Sequence, residues 1–175
     1  MSQSDWIEPF RAARVSAVHL EMRDHYAVGN ESGPFDTWRE TGEADVDPDS
    51  DMWRPWTSVV RDLVARGVVM RRARIVSEPV TEYIRYEHAG TSVNLAVGEQ
   101  VRWLPRSRAS DIALPGNDFW LFDGSMVVFN HFTGDGEWSS HGTETRTEQA
   151  VIKLCQEAFE VVWQRAIPHQ DYDIR

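Results

Sequence analysis

Hydrophobic and polar positions change period several times along this chain, and each change marks an element. Residues 5–14 read as a short helix that Asp5 can cap, with Trp6, Ile7 and Phe10 on one face. Between Val15 and Val28 the spacing of Val18, Leu20 and Met22 favours a strand, although helical spacing also fits. Residues 52–66 give the clearest helix. Asp51 stands at its cap, Pro55 lies in the first turn, and Trp56, Val59, Val60, Leu63 and Val64 form one apolar stripe. Gly67 then fits the left-handed position past the last turn.

Val68 to Val76 reads as a strand with β-branched ends, carrying arginines inside it. Ser77-Glu78-Pro79 predicts the start of a helix that carries Val80, Tyr83 and Ile84 and stops near Gly90. Gln100 to Leu104 is a short strand closed by Pro105. Asp118 to Phe122 and Met126 to Phe132 predict two strands joined by the turn pair Asp123-Gly124. Gly134-Asp135-Gly136 marks a further turn before a strand over 137–141. A last helix over 146–167 would bury Val151, Leu154, Ala158 and Val162, with Pro168 past its end.

Strands alternating with helices, followed by hairpins, predict one α/β domain over 1–175. It has a mixed, partly parallel sheet, flanking helices, C-terminal β-hairpins and a closing helix. Residues 29–51 do not fit an element. They predict an acidic, mobile connection, a lid or interaction segment, anchored by Phe35 and Trp38.

Charge narrows the function classes. The net charge of −10 disfavours direct nucleic-acid binding by the whole domain. The distribution is uneven: nine arginines fall between Arg61 and Arg108 against five acids, so the middle of the chain can carry a positive face. A start without a basic region or apolar run, and no stretch long enough to span a bilayer, imply no secretory signal and no membrane. With Cys155 the single cysteine, the expectation is a reduced, cytoplasmic protein. Lys153 is the one lysine against 17 arginines, so any Schiff-base or P-loop role would fall on it.

Common catalytic signatures fail in particular ways. The run Asp47-Pro-Asp-Ser-Asp51 begins like a calcium loop, but Met52 and Ser58 stand where glycine and glutamate are needed. No Gly-rich phosphate loop, no nucleophile elbow and no histidine or cysteine pair at zinc spacing is present, which implies no cofactor and no metal. Two arrangements carry chemistry. Arg74, Glu78, Tyr83, Arg85, Glu87, Arg102 and Trp103 put arginine beside aromatics, a combination suited to a carboxylate, a phosphate or a flat ring. Glu82 can pair with Arg85, and an internal salt-bridge network is the competing reading. Asp118, Asp123 and His131 could meet at one end of the sheet for acid–base work, with Glu78 as a further acid.

The phrases Ser77-Glu-Pro-Val-Thr-Glu-Tyr-Ile-Arg85 and DFWLFD (118–123) resemble an uncharacterised domain family of actinobacteria, over roughly residues 7–169. Its members are typically encoded beside helix-turn-helix regulators. More distantly, the last third resembles half of a phospholipase D-type domain, where a DFWLFD-like strand precedes a final helix with spacing like Phe159 and Trp163. Such enzymes use His-x-Lys. Here the residues two after each histidine are Glu21, Ala27, Gly90, Thr133, Thr143 and Asp171. The resemblance therefore implies the fold without that chemistry. The expectation is a non-enzymatic regulatory or binding domain whose partner is a helix-turn-helix regulator or another protein, with a small-molecule ligand as a further expectation. The competing expectations are a hydrolase or transferase using Asp118, Asp123, His131 and Glu78, and a homodimer formed through a sheet edge or a tryptophan patch.

Overall fold

A seven-stranded sheet in the order β6-β5-β4-β1-β2-β3-β7 forms the spine of the computed structural model, which describes residues 6–27 and 32–175. The strands are β1 (Ser16–Glu21), β2 (Val69–Val76), β3 (Gln100–Pro105), β4 (Phe119–Phe122), β5 (Met126–Phe132), β6 (Trp138–Arg146) and β7 (Ile167–Pro168). β1, β2 and β3 run parallel, and β4 pairs antiparallel on the other side of β1. The sheet is thus mixed, as the alternating order of elements predicts.

Helices α3 (Arg54–Ala65) and α4 (Glu82–Ala96) fill the two parallel crossovers, with α1 (Glu8–Ala12) and α2 (Ser32–Thr41) on the same side. Helix α5 (Gln149–Arg165) covers the other face. Strand alternation sorts the core between them. Val18, Leu20, Ala73, Ile75, Phe119 and Leu121 pack with Phe159, Val162 and Trp163 of α5. Ala17, Met70 and Phe122 pack with Phe10, Val59, Val60 and Leu63. β1 is buried at four successive positions because both faces are covered, which explains its weak sequence alternation and excludes the helical reading.

Several local expectations need correction. The Asp5 cap lies outside the described residues, and Ile7 stands at the N-cap of α1. Asp51 does not cap α3; Trp53 occupies that place, without a side-chain cap bond. The helix expected at Ser77 starts later. Thr81 Oγ1 accepts from the Ile84 N–H at 3.2 Å, while Ser77 donates to Asp24. That helix also runs through Gly90 to Ala96; the glycine there serves packing and not termination, since Trp53 lies 3.2 Å from where its Cβ would sit. Of the segment 29–51 expected to be a mobile connection, residues 32–41 are helical. Phe35 packs against Tyr83 and Tyr86, and Trp38 against Tyr86, which makes them the anchors. The buried stripe of α5 is Ile152, Cys155, Ala158, Phe159, Val162 and Trp163, with Leu154 at 40% exposure.

The turn pair behaves as its residue types require. Asp123 and Gly124 both have positive φ, 51° and 60°, as a two-residue hairpin of matching twist demands. Asp123 also accepts from the backbone N–H groups of Arg14, Val15 and Ser16 at 2.8–3.1 Å, fixing the turn between α1 and β1. Burial acts to raise the Asp123 carboxyl, but these hydrogen bonds outweigh it and hold the group below its ordinary range.

Candidate functional site

β1 is where the sheet changes direction: parallel partners lie on one side and antiparallel ones on the other. Crevices at such switch points are where open α/β sheets bind ligands. Here β1 and β2 send polar side chains to the α3/α4 face from inside an apolar sheet. These are His19 and Glu21 from β1, and Arg72 and Arg74 from β2. Above them lies a cavity of about 480 Å³, within the range of small-molecule sites.

Its floor is a buried ion network. Arg72 Nε meets Glu99 Oε1 at 2.7 Å, and its Nη1 pairs with Glu21. Arg74 Nε lies 2.6 Å from Glu21 Oε2, although not aligned as a hydrogen bond, and Nη2 pairs with Glu87 at 2.5 Å. Arg74 Nη1 has no hydrogen-bond partner, and the guanidinium sits 5.0 Å from the centre of the Trp103 ring. Burial opposes the charge of Glu21, but Arg74 and Arg72 outweigh it and hold the carboxyl well below the ordinary range. His19 Nδ1 faces the Phe119 carbonyl at 2.8 Å, so that nitrogen donates; Nε2 faces Glu21 at 3.1 Å. The imidazole stacks on Trp120 with centres 4.2 Å apart.

The walls are aromatic. At one end Trp6, Phe10, Trp56 and Trp120 contact one another, and the Arg72 guanidinium lies over Trp56 and Trp120 at 5.6 and 5.5 Å. At the other end Tyr26 packs on Phe132 at 5.1 Å, and Phe132 on Trp138 at 4.6 Å. Asp118 joins wall to floor. It accepts from the Met22 N–H at 2.8 Å and from the Tyr26 hydroxyl. Burial pushes the Asp118 carboxyl up, and burial together with Asp118 pushes the Tyr26 phenol well up.

Of the residues singled out from sequence, Arg74, Tyr83, Glu87 and Asp118 line this cavity. Trp103 is buried beneath Arg74 and stacks on Tyr172 at 5.6 Å. The others lie elsewhere. Arg85 is exposed on α4 and is not part of the lining, and Glu82 faces Arg39 at 3.5 Å in place of Arg85. Arg102 points to the α5 side, 4.4 Å from the Trp163 ring centre. Glu78 accepts from the Tyr172 hydroxyl at 3.0 Å.

The proposed meeting of Asp118, Asp123 and His131 does not occur. Asp118 and Asp123 flank opposite ends of β4, roughly 15 Å apart at strand rise. His131 follows the cavity-facing Asn130 and so points to the other face, 3.2 Å from Glu144. Sequence reasoning missed His19, Glu21, Arg72 and Tyr26. The available signal was polar residues at every second position inside two strands with β-branched, buried flanks. Among the described residues no group of three or more histidine, cysteine, aspartate or glutamate side chains is placed to hold a metal ion.

The seven-stranded mixed sheet flanked by helices is a phospholipase D-like fold, as its likeness to a solved structure shows. Among solved structures, Nuc from Salmonella typhimurium, a phospholipase D family member, is similar at 10% identity with a TM-score of 0.53, covering 93% of this chain and 86% of Nuc. TrmBL2, an archaeal chromatin protein whose structure shows a novel mode of DNA binding, is 12% identical with a TM-score of 0.49 over 93% of this chain and 49% of TrmBL2. No curated protein matches the chain. The family model described as domain of unknown function DUF6879 matches residues 4–173, and the chain belongs to that family.

Proposed function

We propose that this chain is a cytoplasmic, ligand-binding regulatory domain of an actinobacterial protein, working with a helix-turn-helix regulator and doing no phosphoryl transfer. One observation carries the ligand-binding part: an aromatic cavity over a floor whose guanidiniums are already neutralised by carboxylates. A phosphate entering it would meet Arg72 and Arg74 committed to Glu21, Glu87 and Glu99, and would lie beside Asp118. The one lysine, Lys153, pairs with Glu157 on α5, across the sheet from the cavity. No helix among the described residues is long and apolar enough to cross a membrane. The regulator partnership rests on the resemblance drawn from the sequence.

Five of the eight tryptophans line the cavity (Trp6, Trp53, Trp56, Trp120 and Trp138), so intrinsic fluorescence reports its occupancy. Native mass spectrometry of protein taken from its host is expected to show a bound small molecule whose removal changes that fluorescence. Turnover of bis(4-nitrophenyl) phosphate that disappears in His19→Ala would overturn the non-catalytic reading. A pull-down at physiological salt that brings no regulator would overturn the partnership.

A further inference from the structure

We propose that the cavity selects an organic cation, a protonated or quaternary amine carried on an apolar or aromatic body. The inference rests on reading the cavity as a ligand site and adds the sign of the ligand's charge. Its first support is the charge of the buried shell. Glu21, Glu87, Glu99 and Asp118 are four carboxylates set against the two guanidiniums of Arg72 and Arg74. These side chains are almost wholly withdrawn from solvent, so the excess is weakly screened and favours a cation over an anion.

The second support is where the excess lies. Glu99, Glu21 and Glu87 share Arg72 and Arg74, three carboxylates for two guanidiniums. Glu87 and Asp118, which is held by Met22 and Tyr26, are the carboxylates that border the aromatic end. Asp118 holds the Tyr26 hydroxyl, and Glu87 accepts from the Tyr83 hydroxyl at 3.2 Å. Tyr26 and Tyr83 lie 5.9 Å apart, and Tyr26 leads on to Phe132 and Trp138. Rings flanked by carboxylates bind ammonium groups through the ring faces while the acids balance the charge. The same features disfavour a phosphate or sulfonate, which would face Asp118 and Glu87 at close range.

A matched set of probes tests the sign directly on the full chain. Phenyltrimethylammonium and tert-butylbenzene share a shape and differ by one charge, and benzenesulfonate supplies the anion. Tryptophan fluorescence and calorimetry are expected to show the cation binding at least about tenfold tighter than its neutral isostere, with no binding of the sulfonate. Asp118→Asn keeps Oδ1 as acceptor for the Met22 N–H, lets the new amide donate to the Tyr26 oxygen in place of accepting from it, and removes the charge. It is expected to weaken the cation by about tenfold and leave tert-butylbenzene unchanged. Should that variant lose its circular dichroism, Glu87→Gln carries the same expectation. Equal binding of the isosteres, or binding of the sulfonate, would overturn the cation inference and leave the ligand site standing. No response to any of the three probes would remove both.

Discussion

Replacing Arg72 with methionine should unfold this protein more readily than almost any other single change. Methionine fills much of the same volume with no charge, so the substitution isolates the ion network. Glu99, whose side chain is fully buried, would keep only the Asn94 amide at 2.6 Å. Glu21 would retain Arg74 and His19. Breaking a buried pair by removing one partner costs about 3–5 kcal/mol, because the other charge is left uncompensated. Loss of the contacts with Trp56 and Trp120 adds a further ~1 kcal/mol, which methionine packing partly returns. For a chain of 175 residues this corresponds to a fall in Tm of about 10 °C.

Urea unfolding followed by circular dichroism at pH 7.5 measures the change. Arg72→Met combined with Glu99→Gln should recover about half of the loss, since the orphaned charge is gone. The acid limb supplies a second check. The Glu21 carboxyl is depressed in the folded state, so its stabilisation is present above the unfolded pKa and is lost as pH falls through the folded one. With Arg72 gone, that fall in stability at acid pH should shrink. A single variant costing less than about 1 kcal/mol, or a double variant as costly as the sum of the singles, would refute the account of the floor as a coupled network.

Asp123→Ala removes the acceptor of three backbone N–H groups and places alanine at positive φ; urea titration should show a loss of about 2–4 kcal/mol, with Asp123→Asn milder. Cys155 is fully buried and burial pushes its thiol up to about 11, so alkylation by iodoacetamide at pH 8 should be negligible until urea unfolds the chain. Burial, with His88 and Arg74 nearby, pushes His169 down to about 4 from its ordinary 6.5. A histidine depressed by folding leaves the unfolded chain binding more protons below pH 6.5, so stability should decline from there towards pH 4. His169→Gln should flatten that slope, and hydrogen exchange should show residues 167–172 opening first in the wild-type chain as pH falls.

The order of elements was readable because α3, β2, β4 and β5 each carry one clear period and a turn residue of fixed conformation, such as Gly67 at φ 82°. Helix α2 was hidden because its stabilising contacts are long-range: Phe35 and Trp38 meet Tyr83 and Tyr86, some 50 residues away. The start of α4 was misplaced because Ser77 has the right chemistry for a cap but is taken by Asp24. Arginine beside aromatics on β2 and α4 points to Arg74, Tyr83 and Glu87, and the acid–base reading points to Asp118 beside β4. The rest depends on which strands are neighbours. His19 and Glu21 gain their meaning only when β1 pairs with both β2 and β4, a fact no local spacing contains.

That pairing also sets a timetable. β1 leaves the ribosome with both flanks open; β2 covers one about 50 residues later, and the strand that closes the other, β4, follows 100 residues behind, as the bond from His19 to Phe119 records. At synthesis rates of about 5–20 residues per second the wait is about 5–20 s. Throughout it a hydrophobic strand edge lies unprotected, an invitation to pair with another nascent chain. Expression yield should therefore depend on chaperone supply and temperature more steeply than the finished molecule's resistance to urea would foretell.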